Sequence, residues 1–228
     1  MGMEHRITAV APTAAANLRQ EEWMRESRFG RWFLGTEVWR RYVLADALDK
    51  LAAKAGHRAP DDAHILDIGC GQGTAAALLD EHFRPRRITG IDIDAELIAL
   101  GRAQAAAQPP PTTELVLVTA SATDIPLADG SIDLVLCHQL LHHMVAQREA
   151  LAEMHRVLRP GGLLLMAESC RRFIESSLVR TLFRHPQEAQ QDAVGFLDLV
   201  RAAGFKLAED DIITESPWWS LPDLGLRR

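Results

Sequence analysis

Two carboxylates flank a run of glycines in this chain, and their spacing defines a site for a cationic nucleoside. The run ILDIGCGQG spans residues 65–73, with Asp67 two residues ahead of Gly69 and with Gly71 further on. Glycines in such a turn let the backbone bend tightly and lie close to a ligand. The dinucleotide pattern G-x-G-x-x-G, counted from Gly69, needs a glycine where this chain has Thr74. A carboxylate at Asp67 opposes a pyrophosphate but attracts an ammonium or sulfonium group. A second acid, Asp92, closes the segment ITGID 21 residues after Gly71. At that distance a strand-tip carboxylate accepts hydrogen bonds from ribose hydroxyls. Ile93 lies beside it, and Asp94 reads as the cap of the next helix. The charge pattern therefore favours S-adenosylmethionine (SAM) over a nicotinamide dinucleotide.

Further chemistry-bearing residues gather in two segments. DLVLCHQ, residues 133–139, ends an apolar run with Cys137 and His138, and QLLHHM follows with His142 and His143. MAESCRRF, residues 166–173, places Glu168 after another apolar run. His138, Glu168 and His142 are the candidates for moving a proton at an acceptor. No metal site is expected, because adjacent histidines on a helix point apart. Cys70 lies inside the glycine loop and counts as a cofactor contact, with its thiol read as a packing group. Arg25, Arg28 and Arg31 could meet a cofactor carboxylate, and Arg171, Arg172, Arg180 and Arg184 a substrate anion.

These groups need a scaffold, and the hydropathy pattern supplies one. Short apolar runs at 64–68, 87–92, 114–118, 132–137 and 162–168 read as buried strands. Helical stretches at 73–83, 95–106 and 147–158 alternate with them, the order of a parallel sheet covered on both faces. R-P-G-G at 159–162 reads as a helix stop and tight turn. Helices at 172–184 and 187–203, ending at Gly204, and a strand at about 205–213 complete the pattern. Residues 1–17 read as a flexible tail, 18–58 as an N-terminal helical segment broken near Gly30 and Gly35, and 59–228 as the ligand-binding domain. The N-terminal segment is rich in aromatics, with Trp23, Phe29, Trp32, Phe33, Trp39 and Tyr42.

The bulk properties narrow the function classes. At 228 residues, 47% hydrophobic and 25% charged, the chain can bury a full α/β core. A net charge of −6 argues against a nucleic-acid surface. Three widely spaced cysteines without a C-x-x-C suggest neither disulfides nor zinc. No secretory leader and no run of ~18 apolar residues is found, so a soluble, cytoplasmic protein without a membrane partner is expected. Trp218 and Trp219 would either close the pocket or form the contact of a homodimer.

Four blocks in order, ILDIGCGQG, ITGIDID, ATDIPLADGSIDLVLCHQLLHHM and EMHRVLRPGGLLLMAE, resemble the class I SAM-dependent methyltransferases, in particular the ubiquinone and menaquinone methyltransferase branch. The resemblance implies a Rossmann-like α/β fold with a mostly parallel seven-stranded sheet, helices on both faces and an N-terminal helical cap. It also implies SAM as cofactor, S-adenosylhomocysteine as product and a small-molecule acceptor methylated by in-line displacement. Ser121 and Ala122 fall where the family holds adenine, and Cys137 and His138 fall beside the methionine part. The family often has Asp at the position of Ser121, with Asp124 a stand-in carboxylate, so weaker SAM binding is expected here. Two other readings stand beside methyl transfer. One is attack at another carbon of SAM, by intramolecular cyclisation or aminoalkyl transfer, releasing methylthioadenosine. The other is a non-catalytic SAM-binding module.

Overall fold

The computed structural model describes residues 24–56, 62–107 and 113–213. Among them five parallel strands form one sheet: β1 (His64–Ile68), β2 (Arg87–Asp92), β3 (Glu114–Thr119), β4 (Ile132–His138) and β5 (Leu158–Ala167), in the order β3-β2-β1-β4-β5. β1 pairs with β2 on one side and β4 on the other, so the strand order reverses between β1 and β4. Open α/β sheets bind ligands at such a reversal, beyond the carboxyl ends of the strands.

The helices are α1 (Arg28–Leu34), α2 (Glu37–Trp39), α3 (Asp46–Ala55), α4 (Ala76–Phe83), α5 (Ala95–Ala107), α6 (Gln147–Val157), α7 (Arg171–Ile174), α8 (Ser177–Leu182) and α9 (Ala193–Ala202). Alternation along the buried strands splits the core in two. Ile65, Leu134 and Leu136 face Leu44, Leu48 and Leu79 of the N-terminal helices and α4. Leu66, Ile68 and Val135 face Leu151, Met154 and Phe196 of α6 and α9. Side chains two apart on a strand share a face, so one strand serves both layers. Arg40–Ala45, between α2 and α3, is a π-helical turn.

The strands fall close to their sequence positions, and the differences have local causes. β5 begins at Leu158, because Leu158 pairs with Ile132 before the irregularity that restores register at Leu134 and Leu163. Gly161, at φ +81°, makes the turn inside that irregularity. α4 starts at Ala76, three residues late, since the glycine loop continues to Gly73 at φ +76°. The helix expected at 172–184 is two short helices; Ser176 caps the second by accepting from the Val179 amide. The helix expected at 187–203 starts at Ala193, capped by Asp192. It is followed by Gly204 at φ +98°, as read from the sequence. No strand forms over 205–213; a 3-10 turn at Glu209–Asp211 stands there. The seven-stranded sheet is not reproduced, since the described residues contain five strands. The 1–17 tail, Trp23, Trp218 and Trp219 lie outside the described residues.

Candidate active site

The glycine loop is tied to the neighbouring strand before it meets any ligand. The amides of Gly69 and Cys70 both donate to the Ile91 carbonyl, at 2.8 and 3.0 Å. Gly69, at φ +74°, sits against Leu140, and an added Cβ would lie 2.8 Å from its Cδ1. Gly71, at φ +55°, has nothing within 4 Å of such a Cβ, which leaves its backbone open to the cavity. Its amide donates to Asp92 Oδ2 at 2.8 Å, while Asp92 Oδ1 accepts from the Asp94 amide at 2.8 Å. Asp92 thus ties the loop through Gly71 and also accepts from the Asp94 and Ile93 amides, which leaves about one of its four lone-pair sites for a ribose hydroxyl. Asp94 accepts from the Glu96 amide at 3.0 Å, the capping role expected of it.

Asp67 is buried at the tip of β1, and burial, aided by the nearby Asp92 charge, pushes its carboxyl up to about 7. Asp92 is raised as well, by burial first. Two carboxylates, Asp67 buried and Asp92 half-buried, that resist ionisation together are a site that a cation would stabilise.

They open into a cavity of about 750 Å³, within the range of small-molecule sites. Asp67, Gly69, Cys70, Gly71, Asp92, Ile93, Ser121, Ala122 and His138 all line it. Cys137 does not: its side chain is in the core, with Sγ 3.6 Å from Glu168 Oε1. Burial pushes the thiols of Cys70, Cys137 and Cys170 up, so none is poised as a thiolate. Ser121 is buried, with its Oγ 2.8 Å from Thr123 Oγ1. Asp124 is exposed and stays off the cavity wall, so it does not replace the family's Asp. Of the arginines, Arg25 pairs with Asp94 and Glu96, and Arg31 with Glu96. Arg171 donates to the Gln190 carbonyl. A second cavity of about 820 Å³ flanks the outer side of β5 but lacks Asp67 and Asp92, so the chemistry is assigned to the first.

Another part of the cavity wall is built of imidazoles. Glu168, at the end of β5, accepts from the amides of Leu140 and Leu141, at 2.9 and 2.8 Å, and its Oε2 lies 2.6 Å from Nδ1 of His142. With these contacts and the Cys137 thiol, Glu168 is occupied in positioning rather than facing an acceptor. Leu141–His143 is a 3-10 turn, not an α-helix. The His142 and His143 rings therefore lie 4.3 Å apart instead of diverging. His185, which carries no motif signal, joins them at 5.2 and 4.6 Å. His138 stands apart, edge-on to Trp39 with ring centroids 5.7 Å apart. Burial lowers its pKa to about 4; a ring N–H donates to the Val43 carbonyl, and its buried Nε2 has no partner. Phe33, Leu34, Trp39 and Tyr42 complete the wall from the N-terminal side. Phe29 and Trp32 instead form an aromatic cluster with Phe33 and Phe183.

Residues 66–166 match the family model described as a methyltransferase domain. Over that stretch the chain is similar to the class I SAM-dependent methyltransferases. An O-methyltransferase of Penicillium expansum is 31% identical over 175 residues, covering 74% of this chain and 62% of that protein. A demethylmenaquinone methyltransferase of Symbiobacterium thermophilum is 30% identical over 145 residues, 63% of this chain and 52% of that protein. A SAM-dependent methyltransferase of Aquifex aeolicus shares the fold at a TM-score of 0.64 with 16% identity, over 80% of this chain and 91% of its own. The chain spans between about one third and three fifths of the first curated relatives it matches. SAM is the cofactor of this methyltransferase domain, and the residues fit it: the buried Asp67 and half-buried Asp92 suit its charged groups and ribose, and the loop at Gly71 leaves room for it. No helix among the described residues is long and apolar enough to cross a membrane.

Proposed function

We propose that this protein transfers the methyl group of SAM to a largely apolar small molecule bearing an ionisable hydroxyl or amine. One observation carries the reading: a single cavity is lined both by the Asp67 and Asp92 carboxylates and by His142, which Glu168 anchors. When bound, SAM supplies a methyl carbon already activated for displacement. Asp67 then holds positive charge, Asp92 holds the ribose, and Gly69, Cys70, Gly71 and Ile93 shape the loop around the nucleoside. Ser121 and Ala122 border the adenine. The Glu168 carboxylate against Nδ1 keeps that nitrogen protonated, so His142 presents Nε2 to take the acceptor's proton. His138, weakly basic and with a spare Nε2, accepts a hydrogen bond from acceptor or cofactor. The cavity-lining residues between Met24 and Leu44 serve as a cap that excludes water, with Trp39 offering its face to the sulfonium. Small-molecule methyltransferases among the relatives support the acceptor class, and three free, buried cysteines fit a cytoplasmic setting.

Mass spectrometry of SAM incubated with the purified protein, with and without a small-metabolite extract, tests this. S-adenosylhomocysteine formed only with extract, beside a metabolite heavier by one methyl, is the expected result. Methylthioadenosine formed from SAM alone would move the chemistry to another carbon of SAM. SAM binding without either product would leave a binding module.

A further inference from the structure

The imidazole wall holds more nitrogen than one proton transfer requires. His142, His143 and His185 come from two separate segments, yet each offers a ligand atom within 4.8 Å of the other two. All three line the cavity. Two glutamines are spent on this juxtaposition. The buried Gln190 donates through Nε2 to the His142 carbonyl at 2.9 Å and to the Pro186 carbonyl at 2.6 Å. The buried Gln147 donates to the Leu141 carbonyl at 2.9 Å and the Ala189 carbonyl at 2.8 Å. Together they clamp the segment 185–190 onto the turn 141–143. Behind the rings stand acceptors of the kind that orient metal-binding imidazoles: Glu168 on Nδ1 of His142, and the Arg184 carbonyl on a ring nitrogen of His143. Glu26, with its side chain 11% exposed, places Oε2 4.0 Å from Nε2 of His143.

We propose that His142, His143 and His185, with Glu26 as an oxygen ligand, form a binding site for a divalent transition-metal ion of the zinc class. Three imidazoles and a carboxylate are a donor set that zinc accepts. Zinc–nitrogen bonds of about 2.1 Å bring ligating nitrogens to roughly 3.4 Å, so the rings close on the ion by about 1 Å or more through side-chain rotation. The site itself does not depend on methyl transfer; its consequence for activity rests on the function proposed above. Nε2 of His142 cannot both ligate an ion and accept a proton, so metal occupancy and acceptor activation compete.

The test is titration of chelator-treated full-length protein with Co²⁺, read by visible d–d absorption, followed by zinc retained after dialysis. One equivalent per chain, lost in both His185→Gln and His143→Gln while SAM binding persists, is expected. Gln190→Ala, which only loosens the clamp, should weaken binding roughly 10–100-fold. Absence of d–d bands and of retained zinc overturns the site. So does metal binding undiminished in the two histidine variants, which would put the ion elsewhere. Turnover that falls in proportion to occupancy supports the competition. Turnover that rises with occupancy keeps the site and removes His142 as the base.

Discussion

The two ends of the cavity are built differently. The cofactor end is assembled from adjacent strand tips: Asp67, the glycine loop and Asp92 are linked by backbone hydrogen bonds within 65–94. The acceptor end joins side chains far apart in the chain, such as His142 with Glu168 and His143 with His185, fixed by buried glutamine clamps. A local loop can be held by its own geometry. A wall of distant parts needs dedicated polar braces, and each brings buried polar atoms into the core, of which Gln190 Oε1 is left without a partner. The cofactor end therefore suits a fixed ligand, while the acceptor end can be rebuilt without disturbing it.

That contrast implies separable losses. His142→Ala should lower turnover by ~10²–10⁴-fold, the usual range for removing a proton acceptor, while SAM affinity measured by calorimetry stays unchanged. A parallel loss of SAM affinity would show that the two ends are one unit. Asp92→Ala should act at the other end. Loss of one charge-assisted bond of about 1.5–3 kcal/mol predicts SAM binding weaker by roughly 10–100-fold.

A pH titration separates the ends more finely. The Asp67 carboxyl sits at about 7 in the free protein, and a bound cation lowers it. Free protein then carries the extra proton below that value, so SAM affinity must rise with pH and level off above it. Between about pH 6 and pH 7.5 the gain should be roughly 5–10-fold, and Asp67→Asn should abolish the slope. The smallest effect belongs to Ser121→Asp, which restores the carboxylate common in the family: about threefold tighter SAM binding, with turnover per bound SAM unchanged.

The same contrast explains what could be read from the chain itself. The tips of β1 and β2 are written in contiguous residues, with an apolar run, glycines and an acid, so Asp67, Gly71, Asp92 and the Asp94 cap could all be placed from spacing. The acceptor wall has no such grammar. His185 follows no motif, and its role arises only from the clamps of Gln147 and Gln190, 42 and 48 residues from the groups they reach. The doubled histidine was legible, but its geometry was not. A helical reading sends the rings apart, and only the 3-10 turn brings them together. Glu168 was correctly placed at a strand tip. Its freedom to act was not visible, because the amides that occupy it lie 27 and 28 residues away. Cys137 shows the same limit: alternation along β4 turns its side chain into the core while its neighbour His138 reaches the cavity.

The π-helical turn at Arg40–Ala45 fixes an angular phase between two parts of the chain. Ahead of it lie Phe33, Leu34, Val38 and Trp39 of the cavity wall; behind it, Leu48 is anchored in the core. Each residue of an α-helix advances about 100° around the axis. A π turn takes up one extra residue over nearly the same rotation, so deleting one residue from Arg40–Ala45 and restoring ordinary winding would leave the preceding segment in phase with α3. Deleting a residue from the ordinary winding of α3 instead would turn that segment by about 100° and carry Trp39 away from His138. The turn is thus a point where the length of the chain can change while the cavity wall keeps the side chains it presents.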